Sequence, residues 1–209
     1  MNTDASIRIL CVDDHPLLRE GIAGVIEGQD DLRLVGEASN GREAVDAFRR
    51  LRPDVTLMDL QMPEMDGLDA IKAIRAEFPA ARIIVLTTYG GDVPALHALR
   101  AGAQGYLLKS SLRKELLDAI RAVAAGRKRI PAGIAAQIAE NAAHDALSSR
   151  EVEILRGVAA GSANKVIAAT LAISEETVKS HMKRILEKLD ANDRTHAVTI
   201  ALKRGIFSL

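Results

Sequence analysis

Cysteine, tryptophan and long apolar runs are scarce or absent in this sequence of 209 residues. The one cysteine, Cys11, excludes a disulfide bond within the chain, which is typical of a reducing compartment. Aromatic residues make up 2% of the chain, so the sequence argues against binding nucleic acid by stacking bases on aromatic side chains. No apolar run reaches the roughly 18 residues that span a membrane, and the N-terminus lacks the pattern of a signal peptide. We therefore expect a cytoplasmic protein.

Charge is balanced over the whole chain but not along it. The chain has 28 Lys and Arg against 28 Asp and Glu. Residues 1–126 hold 15 basic and 19 acidic residues, whereas residues 146–209 hold 10 basic and 7 acidic residues. A mildly acidic front and a mildly basic rear indicate two modules with different partners. With 48% hydrophobic residues, both have enough apolar side chains to build a core.

Short apolar runs alternate with amphipathic stretches over the first 125 residues. Near-continuous apolar strands that alternate with helices are typical of a parallel sheet covered on both faces. We therefore predict an α/β fold, a five-stranded parallel (βα)5 sheet, for residues 1–125. The five expected strands are IRILCV (7–12), LRLVGEA (32–38), DVTLMDL (54–60), RIIVLTT (82–88) and GYLLK (105–109).

The rest of the chain carries no strand pattern. Residues 126–145 are rich in alanine and interrupted by Gly126, Pro131 and Gly133, which predicts a linker that is helical in part. Residues 146–209 show helical periodicity, with Ser148 or Ser149 and Ser174 as expected N-caps. We predict a second, all-α four-helix domain there.

Polar side chains follow the strands of the expected sheet. Asp13 and Asp14 come after the first strand, Asp59 ends the third, Thr87 ends the fourth and Lys109 ends the fifth. The carboxyl ends of parallel strands meet at one edge, where ligands gather. Three carboxylates there resist desolvation unless a cation joins them, and hard oxygen ligands suit Mg2+. The sequence therefore predicts a magnesium site.

Such a site can accept a phosphoryl group. With a metal present, one carboxylate can attack phosphorus and form an acyl phosphate. The hydroxyl of Thr87 and the ammonium of Lys109 can hold the phosphoryl oxygens, since positioning and charge neutralisation supply most of the catalysis in such transfers. His15 also lies beside the acidic pair, but Mg2+ prefers oxygen, so we expect a loop or helix-start role for it.

The segments VDDHPLLREG, DVTLMDLQMPEMDG, VLTTY and GAQGYLLK give a family resemblance. Residues 7–125 resemble the receiver domain of two-component response regulators. One departure is Ser110, which follows Lys109 where many receivers have proline. The resemblance implies Asp59 as phosphoacceptor, Asp13, Asp14, Asp59 and the backbone carbonyl of Gln61 as metal ligands, Thr87 and Lys109 as phosphoryl contacts, and Thr87 and Tyr106 as switch residues.

Two short helices joined by the turn AIS indicate a helix-turn-helix, whose second helix enters a major groove. Four side chains of that helix, Lys179, Ser180, Lys183 and Arg184, lie off its apolar stripe. They could reach base edges and phosphates. From composition alone, a solvated basic face is an equal alternative.

The motifs LSSREVEILRGVAAGSANKVIA, ISEETVKSHMKRILEKL and DRTHAV make residues 146–209 resemble the LuxR-type helix-turn-helix of NarL/FixJ-class response regulators. Val166 and Asp190 depart from that class, in place of a usual glutamate and a common glycine. The resemblance implies base contacts from Lys179, Ser180 and Lys183, phosphate contacts from Asn164, Lys165, Thr177, Arg194 and Thr195, and pairing of two DNA-binding domains through Ala197, Ile200 and Ala201.

The expected function is a transcriptional regulator and not an enzyme. A partner histidine kinase or a small acyl phosphate would phosphorylate Asp59 with Mg2+, and the new charge would control homodimerisation and release of the recognition helix for double-stranded DNA. One alternative is an aspartate-nucleophile phosphohydrolase, although such enzymes carry an Asp-x-Asp element on the first strand. Another is a DNA-binding protein whose receiver serves only for dimerisation.

Overall fold

The computed structural model describes residues 6–88, 90–141 and 146–207. Five parallel strands form one sheet in the order β2-β1-β3-β4-β5, which confirms the predicted fold class. The strands are β1 (Ile7–Val12), β2 (Leu32–Ala38), β3 (Val55–Asp59), β4 (Ile83–Thr87) and β5 (Gly105–Leu108). The α-helices in the described residues are α1 (Pro16–Glu27), α2 (Gly41–Leu51), α3 (Gly67–Glu77), α4 (Asp92–Ala101), α5 (Leu112–Ala124), α6 (Ala132–Asn141), α7 (Ser149–Ala159), α8 (Asn164–Thr170), α9 (Glu175–Leu189) and α10 (Arg194–Lys203), and Lys109–Ser111 form a short 3-10 helix.

The sheet is buried because its strands are apolar at successive positions. β3 and β4 are buried at every residue, as expected for parallel strands covered on both faces. Cys11 lies in this core, as its apolar neighbours predict. The strand order reverses direction between β1 and β3, and ligands in such sheets bind at the carboxyl ends beside that point.

Gly67 allows α3 to start directly against the end of β3. A Cβ at this position would overlap the backbone carbonyl of Asp59. The side chain of Asp66 caps α3 by accepting a hydrogen bond from the backbone N–H of Asp69 at 2.8 Å. A residue larger than glycine would push the helix away from Asp59.

The chain after α5 runs along the outer edge of β5. Gly126 adopts φ 79°, in the left-handed region, and turns the chain out of the helix. The N–H of Arg129 then donates to the carbonyl of Gln104 at 2.9 Å, and the carbonyl of Arg129 accepts from the N–H of Tyr106 at 2.8 Å. This single bridge protects the edge strand. The segment predicted as a linker therefore holds an extended stretch and α6.

The four helices α7 to α10 enclose their own apolar core. Val178, Ile185 and Leu189 are the buried residues of α9, and Met182 and Leu186 pack partly buried beside them. These five residues form the apolar stripe of α9, and the packing of the four helices confirms the predicted all-α C-terminal domain. Ser148 caps α7 and Ser174 caps α9.

The described residues divide into two compact units, each of which makes most of its contacts within itself. Residues 6–88 and 95–132 form the first, and residues 90–94, 133–141 and 146–207 form the second. The domain boundaries given by the sequence stay a prediction. All peptide bonds in the described ranges are trans, including Lys109–Ser110. Within these ranges, no helix has the length and apolarity needed to cross a membrane.

Candidate functional site

Two buried carboxylates and one lysine meet at the carboxyl edge of the sheet. Asp13 follows β1 and Asp59 ends β3, and both are almost inaccessible to solvent. The Nζ atom of Lys109 donates a hydrogen bond to Oδ2 of Asp59 at 2.8 Å and lies 2.8 Å from Oδ2 of Asp13. One ammonium therefore faces two carboxylates, which leaves the group with a net negative charge.

Backbone contacts fix these carboxylates. Oδ1 of Asp13 accepts a hydrogen bond from the N–H of His15 at 3.0 Å, and Oδ1 of Asp59 accepts one from the N–H of Gln61 at 3.3 Å. The guanidinium of Arg19 donates to the carbonyl of Asp13 at 2.6 Å. The site is thus held by the strand ends and the loops that follow them.

Burial and charge shape the ionisation of the site. Burial raises the pKa of Asp59, and the nearby charge of Asp13 adds to this, although the hydrogen bond from Lys109 opposes both. Burial alone would lower the pKa of Lys109, but its hydrogen bonds and charge interactions with Asp13 and Asp59 outweigh burial and raise it. Both pKa values are raised partly because the site holds more negative than positive charge, and a bound cation would balance that charge.

The donor set fits a divalent cation. Asp13, Asp14, His15 and Asp59 each offer one ligand atom, and these atoms lie within 4.8 Å of one another. Three are carboxylate oxygens, the ligands that Mg2+ prefers. Gln61 is two residues after Asp59 and donates its N–H to that carboxylate, and the ligand role of its carbonyl stays a prediction. The sequence interpretation left out the imidazole of His15.

The two predicted switch residues touch each other. Tyr106 is fully buried in β5, and Thr87 is buried at the end of β4. A side-chain hydrogen bond joins Tyr106 to Thr87, while burial raises the pKa of the phenol to about 12. Tyr106 is thus neutral and enclosed, and its hydroxyl is linked to the strand end beside Asp59.

The predicted base-contacting residues lie on the exposed face of α9. Lys179, Ser180, Lys183 and Arg184 are all exposed, opposite the buried stripe of that helix. Lys179 forms an ion pair with Glu176 one turn earlier, at 3.4 Å. Such an exposed pair contributes little to stability, so Lys179 can exchange it for another acceptor.

The predicted phosphate contacts lie at the starts of three helices. Thr177 is in the first turn of α9, where its N–H donates to the cap Ser174 at 3.0 Å. Arg194 and Thr195 begin α10 and line an open groove of about 470 Å³ together with Gly161, Ser162 and Ala163. Arg194 donates to the carbonyl of Ser162 at 2.9 Å. Asn164 and Lys165 begin α8 directly after that loop.

Of the three predicted dimer contacts on α10, Ala197 and Ala201 need correction, whereas the role of Ile200 stays a prediction. Ala197 and Ala201 are fully buried in the core of the four-helix domain, so they present no surface to a second copy. Ile200 is partly buried against the same core. These residues pack their own domain, because the small side chains let α10 approach its neighbours closely.

The structure accommodates both departures from the LuxR-type class, Asp190 and Val166. Asp190 ends α9 with φ 48° and ψ 45°, the left-handed conformation that favours glycine and that aspartate tolerates better than most residues. The exit of the recognition helix is therefore conventional despite the substitution. Val166 lies on α8 with 54% of its surface exposed, where an apolar side chain has no core to join.

Comparisons with known proteins agree with this arrangement. Residues 9–121 match the response regulator receiver domain, and residues 145–201 match the bacterial regulatory proteins of the luxR family. The chain therefore belongs to the luxR-family response regulators, which join a receiver to a helix-turn-helix domain.

Individual relatives resemble the chain along almost its whole length. It is 43% identical to the transcriptional regulatory protein LiaR of Bacillus subtilis (strain 168) over 203 residues, which cover 93% of this chain and 96% of LiaR. The structure of the response regulator RcsB from Salmonella typhimurium is 28% identical, covers 93% of this chain and 98% of RcsB, and superposes with a TM-score of 0.71. An RcsB–DNA complex is similar, with 27% identity, coverage of 95% and 98%, and a TM-score of 0.69.

Proposed function

We propose that this chain is a DNA-binding transcriptional regulator whose receiver, residues 1–125, accepts a phosphoryl group on Asp59 from a partner sensor histidine kinase. The observation that carries the proposal is the contact of Lys109 with both Asp13 and Asp59 at 2.8 Å, in a chain that also carries an exposed basic recognition helix. The likeness to RcsB, which was solved on DNA, supports double-stranded DNA as the partner.

The chemistry follows from the positions of these groups. Oδ of Asp59 attacks phosphorus, the P–N bond of the donor phosphohistidine breaks, and the electron pair leaves with the donor imidazole, which takes up a proton. Lys109 is placed to bind a phosphoryl oxygen, since its Nζ already contacts the attacking carboxylate. Mg2+, when held by Asp13, Asp14 and Asp59, supplies neutralisation of the phosphoryl oxygens.

The switch works through Thr87 and Tyr106. The hydroxyl of Thr87 is now hydrogen-bonded to Tyr106. A phosphoryl group on Asp59 offers Thr87 three strong acceptor oxygens nearby, and a hydrogen bond to an anion is stronger than one to a phenol. Thr87 turns toward the phosphoryl group, Tyr106 loses its partner, and the packing around β5 changes. In our proposal this change controls homodimerisation and the release of α9 for DNA.

Regulation fits the site better than enzymatic turnover. The acidic pair Asp13–Asp14 is adjacent and not spaced as Asp-x-Asp, and the second half of the chain is a helix-turn-helix domain. We also propose that the protein is cytoplasmic, because it can contact both the sensor kinase and the DNA there. Multiple turnover of small phosphomonoesters would instead favour the phosphohydrolase alternative.

Binding to DNA should strengthen when the receiver carries a phosphoryl mimic. We expect beryllofluoride with Mg2+ to convert monomers to dimers and to tighten binding to a DNA site selected from a random pool by at least tenfold, because a dimer contacts two half-sites at once. Sedimentation velocity and fluorescence anisotropy of the full chain measure both effects. Beryllium with chloride in place of fluoride is the control. Equal mass and equal affinity with and without the mimic would contradict the switch.

Replacing Lys179 by alanine should reduce preference for the selected site. A cationic donor at a base edge is worth roughly 1–3 kcal/mol against the wrong base, so we expect specific binding to weaken by about that amount and random-sequence binding to change less. Anisotropy titrations on both DNAs at several salt concentrations measure this. The matched control is Lys72→Ala, since Lys72 is also exposed and ion-paired three residues away on a helix. Equal losses on both DNAs would reassign Lys179 to a phosphate contact.

A further inference from the structure

We propose that Glu176 is a specificity-determining residue of the recognition helix, α9. Its carboxylate accepts a hydrogen bond from the amino group of a cytosine in the DNA site, and it weakens binding to DNA that lacks a cytosine there. The inference rests on the proposed function, because α9 must enter the major groove for Glu176 to reach a base. It adds an acidic side chain to base contacts that were predicted only for Lys179, Ser180 and Lys183.

Glu176 lies on the same face of α9 as the predicted base contacts. Helical residues three, four and seven positions apart share one face. Lys179, Ser180 and Lys183 follow Glu176 at these three spacings, and all four residues are exposed. The side chain of Glu176 is 83% exposed, on the side of the helix opposite the apolar stripe of α9. A duplex that contacts the basic face therefore also meets this carboxylate.

Glu176 is also at the end of α9 that reaches base edges. It is the second residue of the helix, and the N-terminal residues of a recognition helix contact bases in the major groove. A carboxylate that loses water beside phosphates is unfavourable unless the DNA supplies a donor. Adenine presents the acceptor N7 beside its amino group, which repels the second carboxylate oxygen, whereas cytosine presents only the N4 donor. Cytosine is thus the base that suits Glu176.

The contact between Glu176 and Lys179 has the same donor and acceptor pattern as a G·C base pair. Oε2 of Glu176 lies 3.4 Å from Nζ of Lys179, so each side chain offsets the charge of the other in the free protein. In the major groove, guanine presents the acceptors O6 and N7, and its partner cytosine presents a donor. A G·C pair can replace both partners of this ion pair. DNA without cytosine at that place leaves the carboxylate unpaired.

A competing explanation is that Glu176 only stabilises the start of α9. Acidic side chains in the first turn interact favourably with the positive end of the helix dipole, and Glu175 lies in the same turn. Glu175 is one residue earlier, about 100° around the helix axis from Glu176, so it shares the helix end without sharing the basic face. The dipole role predicts that the two residues are equivalent, whereas a base contact predicts that only Glu176 affects base preference.

The test is selection from a random DNA pool by the full chain with beryllofluoride and Mg2+, using the wild type, Glu176→Gln and the matched control Glu175→Gln. We expect the wild type to prefer cytosine at one position of each half-site by at least about fivefold, the lower end of the range for a base contact. Glu176→Gln should shift this preference to adenine, because an amide pairs with N6 and N7 of adenine. Glu175→Gln should keep the wild-type preference.

Binding to a random-sequence duplex tests the second part of the proposal. Glu176→Gln removes a negative charge beside the phosphates and leaves Lys179 without its ion pair. Binding should therefore tighten roughly threefold, and the salt dependence should steepen by about 0.9 in the slope of log affinity against log salt concentration. Glu175→Gln should change both quantities less. Fluorescence anisotropy at several salt concentrations measures them.

Three results would overturn the inference and leave the proposed function intact: a cytosine preference that survives in Glu176→Gln, an equal change of base preference in Glu175→Gln, or unchanged binding of Glu176→Gln to random DNA. If the wild type itself selects no sequence from the pool, the DNA-binding part of the proposed function fails, and the role of Glu176 fails with it.

Discussion

Asp59→Asn is expected to abolish the gain in DNA binding that a phosphodonor gives the wild-type protein. A neutral amide at this position cannot attack phosphorus, so no acyl phosphate forms. The variant should still fold, because Asn is close in size to Asp and Lys109 keeps its ion pair with Asp13 at 2.8 Å. Incubation with acetyl phosphate and Mg2+, followed by DNA-binding titration and a mass measurement of the acid-labile adduct, measures both consequences.

The matched control for this variant is Asp66→Asn. Asp66 lies in the loop that follows β3, and it caps α3 through its side chain. Asparagine caps helices about as well as aspartate, so this variant removes the same charge without removing the nucleophile. We expect Asp66→Asn to respond to acetyl phosphate as the wild type does. A phosphodonor response in Asp59→Asn equal to that of Asp66→Asn would show that phosphorylation of Asp59 is not the switch.

The acidic site could be predicted from the sequence because strand topology alone brings it together. Asp13, Asp59 and Lys109 each follow or end an apolar run, and parallel strands place such positions at one edge. The distances from Lys109 to the two carboxylates confirm that these three groups converge. No detail of side-chain packing was needed for that step.

Other features depend on packing that the sequence pattern does not encode. Only five of the ten residues of α10 are apolar, and the spacing of these five could not show whether Ala197 and Ala201 face the core of their own domain or a second copy. The basic stretch after α5 carries no strand pattern, yet Arg129 pairs with β5 through its backbone. The orientation of the His15 imidazole was likewise open, because a helix-start histidine usually needs no further role.

A buried ion pair holds the recognition helix against the first helix of its domain. Glu151 on α7 is buried, and one of its carboxylate oxygens accepts a hydrogen bond from Nζ of Lys188 near the end of α9 at 2.9 Å. The same carboxylate accepts the N–H of Ser148 at 2.7 Å, which completes a capping box. The Glu151 side chain therefore stabilises the start of α7 and, through Lys188, contacts the C-terminal part of α9.

The ionisation of Glu151 makes this contribution dependent on pH. Burial opposes the charged form, but the hydrogen bonds from Lys188 and Ser148 outweigh burial and lower the pKa of Glu151 below 4.5. A folded-state pKa below the unfolded value gives stability that is fully present above about pH 4.5. This stability is lost as the pH falls through the lower, folded-state value. The contact between α9 and α7 through this ion pair should accordingly weaken in acid.

Glu151→Ala should destabilise the helix-turn-helix domain by about 3 kcal/mol, since it leaves the partly buried ammonium of Lys188 without its carboxylate and removes the glutamate half of the capping box. Hydrogen exchange of the α7 and α9 amides in the full chain measures the loss of stability in this domain alone. The difference between the variant and the wild type should become smaller below pH 4.5. Glu153→Ala is the control, because Glu153 lies on the same helix in an exposed pair with Arg150 and should cost at most about 0.5 kcal/mol. Equal losses in the two variants would mean that the Glu151–Lys188 pair does not hold α9, and that the pose of the recognition helix is set by its apolar stripe alone.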